Sequence, residues 1–173
     1  MTHNSPHSSD ERTSRSRYPG IRPFNDSAED CARFFGRTEE SEQLYLRVLS
    51  VPLLLQFAKS GLGKTSLLQA GLFPLLRKES FLPVMVRLND VDEALTVVVA
   101  RSIQQACEAE RLEHTEGQRE GLWELLMTTM VSRGDLMLTP VLVFDQFEEV
   151  FTLRDAEFRA DLARELGALA SGH

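Results

Sequence analysis

The run Ala58-Lys59-Ser60-Gly61-Leu62-Gly63-Lys64-Thr65 brings two glycines, a terminal lysine and a hydroxyl into one short stretch. That set suits phosphate. Gly61 and Gly63 let backbone N–H groups fold into a nest around anionic oxygens. A helix opening near Lys64 aims its N-terminal donors and positive dipole end at the same anion. Lys64 reaches β- and γ-phosphates as a point charge, and Thr65 offers its hydroxyl to Mg²⁺. The usual pattern G-x-x-x-x-G-K-[ST] has Ala58 in its first place. A positive φ there would strain alanine by about 1–2 kcal/mol. The plainer alternative is a Gly-rich turn before a helix.

A second group lies downstream. Val141-Leu142-Val143-Phe144-Asp145 is an apolar run ending in an acid. In a buried parallel strand, that carboxylate emerges at the C-terminal sheet edge, where ligands bind in open α/β sheets. This is a Walker B arrangement, with Asp145 holding Mg²⁺ directly or through water. Glu148, and after it Glu149, is the candidate to polarise an attacking water. The alternative is that Asp145 caps a helix starting at Gln146 and the glutamates favour its dipole.

These residues need elements to position them. Leu53–Phe57 reads as a buried strand entering the loop, and the helical spacing of Leu67, Leu68, Leu72, Leu75 and Leu76 predicts a helix from Lys64 to Arg77, ended or kinked by Pro74. Leu82–Leu88 reads as a second strand and Pro140–Phe144 as a third. Further helices are expected over Glu39–Leu49, from Asp90 or Asp92 to about Leu112, over Glu116–Arg133 and over Asp155–Leu169. The run Val97-Val98-Val99 pulls the second of these towards strand. Tyr18–Phe24, with two prolines and a glycine, reads as extended, followed by a helical turn within Asp26–Arg33. Strands alternating with helices indicate an α/β fold built on a parallel sheet, and three visible strands are few for one.

Bulk properties narrow the function classes. The 173 residues allow one ordinary domain. A net charge of −7 argues against an overall nucleic-acid binder. Cys31 and Cys107 have no partner spacing, which disfavours a disulfide scaffold or a cysteine zinc site and suits a reducing compartment. No apolar run approaches the ~20 residues of a spanning helix, and Met1–Arg17 carries no hydrophobic signal stretch. The expectation is a cytoplasmic protein with a solvated tail over 1–17 and a domain over 18–173. Of three lysines, Lys59 and Lys64 share the glycine loop.

In four ordered pieces the chain resembles the bacterial novel STAND NTPase family. These are Tyr18–Phe24, Phe34-Phe35-Gly36-Arg37-Thr38-Glu39, Ser60–Leu72, and Asp145-Gln146-Phe147-Glu148-Glu149-Val150-Phe151. The resemblance implies a three-layer αβα P-loop NTPase fold that binds ATP and Mg²⁺. Phe35, Gly36 and Arg37 would lie beside adenine and ribose. Gly61 to Ser66, with Ala58, Lys59 and Ser60 before them, would hold the triphosphate. Asp145 matches the family's magnesium acid and Glu148 its catalytic acid. It also implies a signalling switch set by ATP and reset by hydrolysis or exchange, working through protein partners or self-assembly. Family members add a sensor-1 strand between the P-loop and Walker B strands, then a lid, a winged helix and a sensing repeat array. The chain ends before that strand, so the expectation is the N-terminal portion of such a domain. Arg87, Arg133 and Arg154 receive no role.

Three readings compete. One is an ATP-binding module with slow or assembly-dependent hydrolysis. Another is a truncated or decayed module without turnover, acting by protein contact. A P-loop kinase is the third, disfavoured because neither lid nor acceptor pocket is evident.

Overall fold

The computed structural model describes residues 22–57, 59, 61–88 and 93–172. Expectations for Met1–Ile21, Ala58, Ser60, Asp90 and Asp92 fall outside these residues. The elements are α1 (Ala28–Arg33), α2 (Thr38–Ser50), α3 (Lys64–Ser66), a π-helical stretch (Leu67–Leu72), α4 (Phe73–Lys78), β1 (Phe81–Val86) and α5 (Leu95–Glu110). After these come β2 (Glu113–Thr115), α6 (Leu122–Thr128), β3 (Met130–Arg133), β4 (Leu136–Phe144), a 3-10 turn (Phe147–Glu149), α7 (Val150–Leu153) and α8 (Ala156–Ser171).

The fold is α/β, as expected, but its sheet is mixed and four-stranded, in the order β1-β4-β3-β2. β1 and β4 run parallel, Phe81 opposite Thr139 through Val86 opposite Phe144. β3 returns antiparallel against β4, Arg133 opposite Leu136, and β2 pairs antiparallel with β3. The helix expected over Glu116–Arg133 is therefore shortened to α6, and its last residues become a strand. Gly134 takes a φ of +58°, closing a two-residue hairpin with Asp135, and a tight hairpin overrides the weak helical preference of Met130–Arg133.

Helices cover both sheet faces because side chains alternate along the strands. Leu82, Val84 and Val86 of β1 join α5, α6 and α8 in the larger core through Val98, Val99, Ile103, Leu122, Leu125 and Leu162. Phe81, Met85, Val141 and Val143 face the smaller cluster, made of Leu44, Leu67, Leu72, Phe73 and Leu76. Burial of Val98 and Val99 against β1 holds that valine run helical. α5 starts at Leu95, with Ala94 as its N-cap. Asp155 does cap α8, accepting from the Phe158 N–H at 2.8 Å.

Two expectations next to the glycine loop change. Pro74 does not end its helix: of the two alternatives, a stop or a kink, the stop is excluded, because Pro74 lies in the first turn of α4, directly after the π stretch, and the helix continues to Lys78. Gly71, in that stretch, lies so close to α2 that an added Cβ would sit 2.3 Å from Ser41 Oγ.

Leu53–Phe57 forms no strand: the segment is irregular, with Leu55 62% and Phe57 89% exposed. A buried strand requires a neighbour, and among the described residues none lies beside it. Among the described residues, one edge of β4 is instead unpaired beyond Leu138. The Thr139 and Asp145 N–H groups donate to the Ser80 and Val86 carbonyls on the β1 side, so the missing N–H of Pro140 falls on the opposite edge.

Candidate functional site

The loop and the acid are brought together. Gly61 and Gly63 have φ of +80° and +70°, the left-handed conformation glycine adopts without strain. Gly63 is the N-cap of α3, so Lys64 and Thr65 form the first helical turn. The Thr65 hydroxyl lies 3.3 Å from both Asp145 carboxylate oxygens, across 80 residues of sequence. β4 delivers Asp145 to that point, and the Asp145 N–H donates to the Val86 carbonyl at 3.1 Å. Asp145 is only 7% exposed.

This pair fits a hard divalent cation. Two neighbouring oxygens around octahedral Mg²⁺, each at ~2.1 Å, lie about 3 Å apart, close to the 3.3 Å seen here. No cluster of three or more His, Cys, Asp or Glu side chains suited to a metal occurs among the described residues. A site formed from one hydroxyl and one carboxylate leaves its other positions to phosphate and water, as Mg²⁺ prefers.

Glu148 reaches the same place from the 3-10 turn, its carboxylate 3.7 Å from Lys64 Nζ. Gln146 turns the chain there with φ +56°. Asp145 therefore does not cap a helix at Gln146. Glu149 closes the turn through its backbone, its N–H donating to the Gln146 carbonyl at 2.9 Å.

The Phe35-Gly36-Arg37 segment meets the loop from behind. Arg37 Nη1 donates to the Leu62 carbonyl at 2.9 Å and to the Gly63 carbonyl at 3.4 Å. A side chain at Gly63 would crowd that guanidinium at 3.2 Å. Phe35 is 81% exposed, while Phe34 packs into the smaller cluster. Lys59 is exposed and its carbonyl accepts from Leu62 N–H at 3.4 Å. Ser66 is buried, and its hydroxyl accepts from the Phe24 N–H at 3.0 Å. Its side chain thus ties the chain before α1 to the loop helix.

That tie rests on a second one. Asp30 is buried and takes Arg22 in a fork at 2.6 and 3.0 Å, with Asn25 N–H at 2.9 Å. The Arg22 guanidinium, and after it the Asn25 amide, hold the Asp30 carboxyl below its ordinary range.

Sequence reasoning left Arg87 without a role, and the structure places it at this site. Its Nη2 lies 3.8 Å from Asp145 Oδ2. The available signal was position, since Arg87 follows β1 just as Asp145 follows β4. Arg133 and Arg154 go elsewhere, to Glu110 at 2.9 Å and to the Leu88 carbonyl at 2.9 Å.

No helix among the described residues is long and apolar enough to cross a membrane. No curated protein and no solved structure matches the chain. The family described as Novel STAND NTPase 1 matches residues 18–173. With nearly the whole chain covered, including the glycine loop and the Asp145 strand, the protein belongs to the Novel STAND NTPase 1 family.

Proposed function

We propose that this chain is an ATP-binding P-loop module of αβα type, in which nucleotide and Mg²⁺ lie between the Gly61–Thr65 loop and Asp145. One observation supports the reading: the Thr65 hydroxyl and the Asp145 carboxylate, 80 residues apart in sequence, converge at 3.3 Å. The backbone N–H groups of the loop and the first turn of α3 bind phosphate oxygens. Lys64 adds its charge at the outer phosphates. Thr65 and Asp145 would hold the cation, which when bound supplies positive charge to the phosphate oxygens. Glu148 accepts the proton of the attacking water as ATP and water become ADP and phosphate. Glu149 is the second candidate for that role. The exposed Phe35 ring, anchored by Arg37 to the loop, offers a face for the base.

Hydrolysis in this reading is slow or depends on assembly, and the nucleotide state acts as a switch for protein contacts. A fluorescent ATP analogue titrated with and without Mg²⁺ tests binding. Wild type should bind, and Lys64→Ala should lose at least about tenfold, or ~1.4 kcal/mol. Glu148→Gln should keep binding and lose turnover.

A second reading is a module without turnover that acts by protein contact. The exposed Leu55 and Phe57, on the segment that leads into the glycine loop, favour it. Equally negligible nucleotide binding by wild type and Lys64→Ala would select it.

A further inference from the structure

Arg87 and Asp145 hold equivalent places on neighbouring strands. β1 and β4 are parallel, with Val86 opposite Phe144, so the next residue on each leaves the same end of the sheet. Asp145 is buried, whereas the Arg87 side chain is 55% exposed and reaches the carboxylate from the solvent side at 3.8 Å. A carboxylate this far from water is stabilised by a nearby positive charge, and Arg87 brings one. Thr65 gives it a hydrogen-bond donor but no charge. A divalent cation shared by Thr65 and Asp145 would use the same carboxylate oxygens, and two cations crowded onto one carboxylate repel.

We infer that Arg87 is a positioning residue that stands in for the metal: it neutralises Asp145 in the metal-free protein and competes with a divalent cation for that carboxylate. The inference rests on the proposed role of Asp145 as a metal ligand. It assigns the guanidinium two states, on Asp145 when no metal is bound and off it when metal is present. Geometry supports the exchange. Arg87 is solvent-facing and can swing away without opening the core, whereas Asp145 is fixed by its backbone bond to Val86.

The test is Mn²⁺ binding to the nucleotide-free full chain, read from the electron paramagnetic resonance signal of free Mn²⁺. Arg87→Gln should bind Mn²⁺ about three- to tenfold more tightly than wild type, because a competing cation is gone. Arg87→Lys, which keeps the charge, should stay within about twofold of wild type. Arg87→Ala gives the same reading as Arg87→Gln should glutamine perturb folding. A purely structural arginine would not make metal binding tighter when removed. Unchanged or weaker Mn²⁺ binding in Arg87→Gln overturns the inference. If Asp145→Asn still weakens Mn²⁺ binding in that case, the metal role of Asp145 survives alone. If Asp145→Asn binds Mn²⁺ as wild type does, both fail together.

Discussion

The two flanks of β4 are built differently. On one side β1 is paired along its whole length and sandwiched between the two apolar clusters. On the other, β3 reaches only Leu138. The Leu53–Phe57 segment leading to the glycine loop likewise leaves Leu55 and Phe57 in solvent. The acidic half of the site therefore stands on a packed platform. The glycine-loop half is held by Arg37 on two loop carbonyls and by α2 against Gly71. Ligand-binding loops belong to the weakly packed parts of proteins, because they must open and close. The difference gives Asp145 a packed place and, under the proposed function, makes the loop the part that responds to nucleotide.

Four substitutions can break or sharpen this contrast. The largest effect belongs to the packed flank. Leu82→Ala, at a fully buried position in β1, should cost about 2–5 kcal/mol in urea unfolding. Phe57→Ala should stay within about 0.5 kcal/mol in the same experiment. Comparable losses at the two positions would mean that Leu53–Phe57 is packed after all. Next comes Gly71→Ala, where the new methyl would push into Ser41. A loss of about 1–3 kcal/mol is expected, with weaker nucleotide binding because the loop helix is displaced from α2. A neutral result would show that α2 does not set the position of the loop.

The smallest effect concerns the Arg22–Asp30 fork. Arg22 and the Asn25 amide depress the Asp30 carboxyl below its ordinary value of 3.8. A depressed carboxylate stabilises the fold above its unfolded value and loses that contribution as pH falls through its folded value. Arg22→Ala should therefore unfold more easily than wild type at pH 7, with the gap closing as pH falls below about 4. A gap that persists at pH 2 would assign the loss to packing of the arginine stem.

What was legible in the sequence was local. The glycine loop, the helix after it and the acid ending β4 follow from short-range patterns, and Thr65 and Asp145 meet as their chemistry suggests. Leu53–Phe57 was misread because an apolar run becomes a strand only when something pairs with it. Gly134-Asp135 marks the β3–β4 turn, but Leu122, Leu126 and Met130 also satisfy a helical spacing that runs through β3. Pro74 reads as a stop or a kink, and the sequence does not reveal the π stretch directly before it, after which the helix runs on. Arg87 was visible as a residue but not as a partner, since its role depends on the register between β1 and β4.

Hydrogen exchange of the backbone amides, with and without ATP and Mg²⁺, tests the central claim most directly. The account predicts strong new protection confined to Gly61–Ser66 on addition of both, with the amides hydrogen-bonded between β1 and β4 unchanged. Absence of protection in that loop, or an equal rise across the whole sheet, would contradict a ligand-ordered loop set against a prebuilt acidic platform.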